Sequence, residues 1–86
     1  MLESGTVLAF SPNTKMFIVS LIGAEYAVFK LLGPLDLQIG DSIKGELAAK
    51  GRKTLVHVAH RRSFEAEGMS GPTTLQACQR FVTTHR

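Results

Sequence analysis

The side chains with the most chemistry in this chain are cationic and aromatic. Between positions 50 and 62 stand Lys50, Arg52, Lys53, Arg61 and Arg62 with no acid among them, and His57 and His60 lie in the same stretch. A mildly basic protein (net +3, pI about 9.4) whose excess sits in one segment attracts polyanions. The competing reading is a solvated hairpin and strand end, because exposure is the default state of Lys and Arg. A second set is Lys15, Phe17, Tyr26 and Lys30. Single-stranded nucleic acid is held by a combination of this kind: cations follow the phosphates and aromatic faces stack the bases, each worth about 1–3 kcal/mol. Two aromatics predict weak binding that depends mainly on salt-sensitive contacts. For Phe17 the alternative is packing beneath a C-terminal helix.

Other chemistries find little support in the sequence. No Ser/His/acid or Cys/His set matches a known catalytic motif, and no Gly-x-x-x-x-Gly-Lys run follows a strand. His57 and His60 are three apart, which in a strand puts them on opposite faces and argues against a metal site. The single cysteine, Cys78, excludes an internal disulfide and suits a reducing compartment. No enzyme, cofactor or metal is expected. The opening MLESG lacks a basic region followed by an apolar run, and the longest apolar stretch, from Met16 to Ile22, is broken by Ser20. A cytoplasmic protein with no membrane partner is the expectation.

The elements that must position these residues read as strands for the first sixty positions. Val7 to Phe10 ends at Ser11-Pro12-Asn13-Thr14, Lys15 to Leu21 ends at Gly23, and Glu25 to Leu32 ends at Gly33-Pro34. Leu35, Leu37 and Ile39 alternate with polar residues before the Gly40-Asp41 turn. In Ser42 to Ala48, Ile43, Gly45 and Leu47 face inward, and the inward glycine suggests a bend. A hairpin turn at Lys50-Gly51-Arg52 precedes Lys53 to His60, with Val56 and Val58 inward and Leu55 and His57 outward. Residues 63–71 read as a polar linker. Pro72 to Thr84 reads as a helix capped by Ser70 or Gly71, with Leu75, Cys78 and Val82 on its apolar face. Five short strands at about ten-residue spacing predict a mainly all-β fold: a closed five-stranded barrel over residues 1–62, with the helix packed on it.

These strands resemble cold-shock domains. Gly5-Thr6-Val7-Leu8-Ala9-Phe10 is similar to the family's opening strand, with Ala9 where the family has tryptophan. Lys15-Met16-Phe17-Ile18-Val19 stands at its first RNA-binding motif and Ala27-Val28-Phe29-Lys30 near its second. Leu37 to Ile43 resembles the lead into strand four. The resemblance spans about residues 5–60. It implies an OB-type barrel, with stacking carried over at Phe17 and more loosely at Lys15, Val28 and Lys30.

Two functions follow as expectations. One is a single-stranded RNA- or DNA-binding module with Lys15, Phe17, Tyr26 and Lys30 as platform and Arg52, Lys53, His57, Arg61 and Arg62 as phosphate track. The other is a protein-contact or self-associating module, suggested by a mean hydropathy of +0.10 and by apolar residues assigned to outer faces, namely Leu8, Val19, Val28, Leu32 and Leu55. The state of the outer face of strands two and three discriminates them. An open, lysine-rimmed face favours nucleic acid, and a face covered by the helix favours contact.

Overall fold

A computed structural model describes residues 3–33, 37–48 and 50–84. The described residues form β1 (Glu3–Ser11), β2 (Met16–Leu21), β3 (Glu25–Leu31), β4 (Ser42–Gly45), β5 (Gly51–His57), β6 (Arg62–Gly68) and α1 (Leu75–Thr84). The strands close into an antiparallel barrel in the order β1-β2-β3-β6-β5-β4. The expected class, a closed β-barrel with one C-terminal helix, is the observed one, with six strands rather than five. Leu35 and Asp36, and the turn at Pro34, lie outside the described residues, as does His85. No helix among the described residues is long and apolar enough to cross a membrane.

The barrel interior is filled by the inward half of each strand. Val7, Phe17, Val19, Ala27, Phe29, Leu31, Ile43, Leu47, Leu55, Phe64 and Ala66 pack as one cluster with Leu37. Phe17 stacks on Phe29 at 5.8 Å between centroids and tilts against Phe64 at 6.4 Å. Burial of each large side chain of this kind stabilises by about 1.5–3 kcal/mol.

A second cluster lies on the opposite side of β2 and β3. Met16, Ile18 and Val28 are buried there beneath Cys78 of α1, with Ala9, Tyr26, Met69, Leu75, Phe81 and Val82 around them. Four successive residues, Met16 to Val19, are therefore buried, because β2 has a core on each face.

Two expectations about strands are corrected. Residues 63–71 are not a linker: Arg62–Gly68 is β6, which pairs with β5 along its whole length and with β3 through Lys30↔Glu67 and Leu31↔Ala66. Its inward residues are small or single (Phe64, Ala66, Gly68) and its outward ones are polar, so alternation is present without much hydrophobicity. In β5 the two faces are exchanged. Leu55 and His57 point into the barrel, and Val56 and Val58 are 37% and 39% exposed. The exchange follows from a one-residue change of register, which moves every side chain of a strand to the other face.

The chain leaving β6 stays on the sheet. Met69 N–H donates to the Val28 carbonyl, Ser70 Oγ accepts from the Val28 N–H, and Thr73 exchanges two 2.8 Å bonds with Tyr26. The helix begins only after this, at Leu75. Thr74 is its cap, its hydroxyl accepting from the Ala77 N–H at 3.1 Å. The expected start at Pro72 and cap at Ser70 or Gly71 give way because 69–73 is engaged in pairing with β3.

Candidate functional site

The platform expected for nucleic acid is not assembled. Phe17 is fully buried inside the barrel. Tyr26 lies on the other side of the sheet, half-buried in the cluster beneath α1. The two aromatics face opposite ways because Phe17 pairs with Phe29 and Tyr26 with Ser20, an odd number of steps away along β2. Val28 is buried under the helix. Lys15 is exposed but belongs to the β1–β2 turn, with φ 61. Lys30 is exposed on β3 opposite Glu67. Among the described residues every phenylalanine and the tyrosine are buried or half-buried.

The phosphate track is also divided. Arg52, exposed, hydrogen-bonds Glu65. Lys53 is on the inward side of β5 at its start, half-buried, with Nζ 6.0 Å from the centre of the Phe29 ring. Arg61 and Arg62 are exposed at the β5–β6 turn. His57, taken as outward, is 1% exposed. Its Nε2 lies 2.8 Å from Asp41 Oδ2, and its Nδ1 accepts the His60 N–H at 3.3 Å. An Nδ1 that accepts is unprotonated, so Nε2 carries the hydrogen and donates it to the carboxylate. The same oxygen of Asp41 accepts the Gln38 N–H at 2.8 Å. Burial pushes the Asp41 carboxyl up, but the Gln38 amide, the His57 hydrogen bond and the fields of His57 and His60 together hold it below the usual carboxylate value. The His57 and His60 rings stack at 4.5 Å because the strand ends at His57 and the chain turns back. This cluster ties the 38–41 turn to the end of β5. Both ring nitrogens of His57 are occupied in doing so, and its role is positional.

Cys78 is buried against Met16, Ile18 and Val28, and burial raises its thiol pKa against a smaller opposing effect of the Ser70 hydroxyl. A thiol in this state is a poor nucleophile. A cleft of about 100 Å³, lined by Ala9, Phe10, Ser11, Met16, Ile18 and Val82, opens where the last turn of α1 meets β1 and β2. It is small beside the few hundred Å³ of a typical ligand site. Among the described residues no three His, Cys, Asp or Glu side chains are grouped to hold a metal ion.

The outside of the barrel thus has three different surfaces. Over β2 and β3 it is covered by α1. Over β3, β6 and the start of β5 it is a charged ladder in which Lys30, Glu67, Arg52 and Glu65 alternate in sign. Over β1, β4 and the end of β5 it is mixed, with Lys44 and Glu46 among serines, threonines and valines. Pairing sets Ser4 beside Lys44 beside Val56 beside Ser63 in one row. The next row is Thr6 beside Ser42, whose carbonyl accepts the Val58 N–H. Leu8, two residues beyond Thr6, is the extra residue of a bulge between the Val7↔Val19 and Ala9↔Ile18 pairs and is 36% exposed. Of the five apolar residues expected outside, Leu8 and Leu32 are exposed, and Val19, Val28 and Leu55 are buried.

The outward placement of Val56 and Val58 escapes a sequence reading that assigns β5 to the wrong face. The signal was present in Gly45, whose missing side chain leaves room for Leu55. Comparison with known protein families, with curated proteins and with solved structures gives no match.

Proposed function

We propose that this chain is a non-catalytic protein-contact module that binds through the outer surface of β1, β4 and β5. One observation carries the reading. The barrel surface over β2 and β3, where a stacked single strand would lie, is filled by the chain's own helix, and Leu8, Val56 and Val58 are exposed on or just after strands of a different side among serines and threonines, while Ile22 and Ile39, more exposed still, stand in turns. This uncovered surface mixes Lys44 with serines, threonines and exposed valines, a composition that an interface can share. The inert setting of Cys78 and the full engagement of His57 agree with a role in binding, not turnover.

The test is photo-crosslinking from single positions. A photoreactive residue at Val56 is expected to trap protein, either a second copy or another chain, and one at Glu67 on the charged ladder is expected to trap little. Equal yields at the two positions would remove the reading. Sedimentation velocity over a range of concentrations separates self-association from a foreign partner.

A second reading retains nucleic acid, supported by the run of cations at the β5–β6 turn. Without aromatic faces it reduces to phosphate contact by Arg61 and Arg62. Such binding would be weak, indifferent to Phe17→Leu, and lost on raising salt. Fluorescence anisotropy with a short oligothymidylate tests it.

A further inference from the structure

The geometry points to a proton-operated latch at the β5–β6 turn: the bond that fastens His60 to the barrel end exists only while His57 is neutral, and a second proton on His57 releases the turn. The latch works whatever the chain binds. Its basis is the chemistry of the two atoms that the His57 ring meets. Nε2 faces the Asp41 carboxylate at 2.8 Å, and Nδ1 faces the His60 N–H at 3.3 Å. The first partner accepts a hydrogen and the second donates one. Together they fit a single tautomer, with the hydrogen on Nε2 and a lone pair on Nδ1. Imidazole takes up its second proton between about pH 8 and about pH 5. In this ring that proton goes to Nδ1, where it would set two N–H groups against each other. The Asp41 bond survives the change and becomes charged at both ends, whereas the His60 bond does not survive.

The surroundings decide which partner yields. His57 is buried, with Ile43 of β4 paired to one side of it and Arg62 of β6 to the other. Asp41 is held by the backbone around it: the Val7 N–H donates to its carbonyl, and the neighbouring Gly40 N–H donates to the Val7 carbonyl. His60 is exposed, in a turn closed by a long bond of 3.3 Å from the Arg61 N–H to the Val58 carbonyl. Arg61 has φ 51, a conformation that costs a residue with a side chain. The turn is therefore the part that moves. Its opening stops at Val58, whose N–H is bound to the Ser42 carbonyl at 3.0 Å, so Ala59 to Arg61 are released.

Charge acts in the same direction. The titratable and charged groups around the ring are Asp41 from the 38–41 turn, His60 and Arg61 from the β5–β6 turn and Arg62 from β6, with Lys44 next to Ile43 on β4. Asp41 is the one acid in that set. The His57 and His60 rings stack at 4.5 Å, so protonating both places like charges face to face beside two arginines.

The experiment is an NMR titration of the full chain from about pH 8 to about pH 5, following the ring nitrogens of His57 and His60 and the amides of residues 58–62. The His57 Nδ1 signal is expected to move from its lone-pair position to its protonated one. The His60 amide proton is expected to move upfield with the same midpoint, and the nuclear Overhauser contact between the two rings to be lost. The Gln38 amide proton stays at low field, because its bond to Asp41 holds. His57→Gln removes the titrating ring and should abolish the amide transition. His60→Ala, at an exposed position, keeps the backbone N–H and removes the second ring; the amide at position 60 should still follow the His57 midpoint. A His57 ring that takes its second proton while the His60 amide stays in place overturns the latch. So does an amide transition that follows the His60 ring or vanishes in His60→Ala. A His57 ring that remains neutral over the whole range also overturns it, since nothing would then operate the release.

Discussion

Leu55 occupies the space that a side chain on Gly45 would need: a Cβ built there collides with Leu55 Cδ2. Gly45 also has φ 154 and is fully enclosed in the barrel wall. Leu55 can point inward beside β4 because Gly45 has no side chain, and Val56 and Val58, of the opposite parity, lie outside. Gly45→Ala is expected to destabilise by about 1–3 kcal/mol, the usual cost of overpacking. Leu55→Ala alone should cost about 2–5 kcal/mol. The double variant should lose clearly less than the two together, because each change relieves the other. Urea unfolding of the four proteins measures the coupling, and strict additivity would contradict the contact.

The Asp41–His57 pair makes stability depend on pH in a definite direction. The folded carboxyl has a lowered pKa, so its contribution is complete above the ordinary carboxylate value of about 3.9 and is lost as pH falls through the folded value. Asp41→Asn removes a hydrogen-bonded charge and should cost about 1–3 kcal/mol at neutral pH. Unfolding of the native chain and the variant at pH 7 and near pH 3 checks this. The gap between them should narrow in acid, and an unchanged gap would dispose of the idea.

The docked helix has a built-in reporter. Cys78 is shielded only while α1 lies on Met16, Ile18 and Val28. Thr74→Ala deletes the cap and should weaken the helix by about 1 kcal/mol. Reaction of Cys78 with an aromatic disulfide should then accelerate roughly fivefold at neutral pH, as 1 kcal/mol implies for a local opening. A rate equal to that of the native chain would mean that the thiol is reached by another route.

Phe17 and Arg52, assigned to the same binding role by the sequence pattern, should behave in opposite ways. Phe17→Ala hollows the stacked cluster with Phe29 and Phe64 and should cost about 3–5 kcal/mol, enough to unfold much of so small a domain. Arg52→Ala breaks an exposed pair with Glu65 and should change stability by less than about 1 kcal/mol. Thermal melts followed by circular dichroism distinguish the two. A mild Phe17→Ala would place that ring outside the core.

The architecture was legible where turn chemistry and alternation agreed. β1, β2 and β3 are bounded by Ser11–Thr14 and Gly23 as expected. β6 was hidden because its inward side needs only Phe64 and small residues, so the sequence Arg-Ser-Phe-Glu-Ala-Glu-Gly has the composition of a linker. The site was less legible for a physical reason. β2 is apolar on both faces, so period-two patterning cannot say which face meets the barrel and which meets the helix. β5 carries Leu55, Val56 and Val58 in near succession, and only the partner glycine on β4 decides between the two registers. Asp41 reads as a solvated loop acid until the fold brings His57 across to it.

The pairing of residues 69–73 with β3 has a mechanical consequence. Because the chain just ahead of α1 is stitched to Tyr26 and Val28 by backbone bonds, the helix is tethered within one residue of its cap. It can peel from its C-terminal turn, but it cannot swing away as a rigid arm unless the stitching rips first. Under load, the C-terminal turn would therefore fray before the barrel gave way, and the seam along β3 would be the last link between them to part.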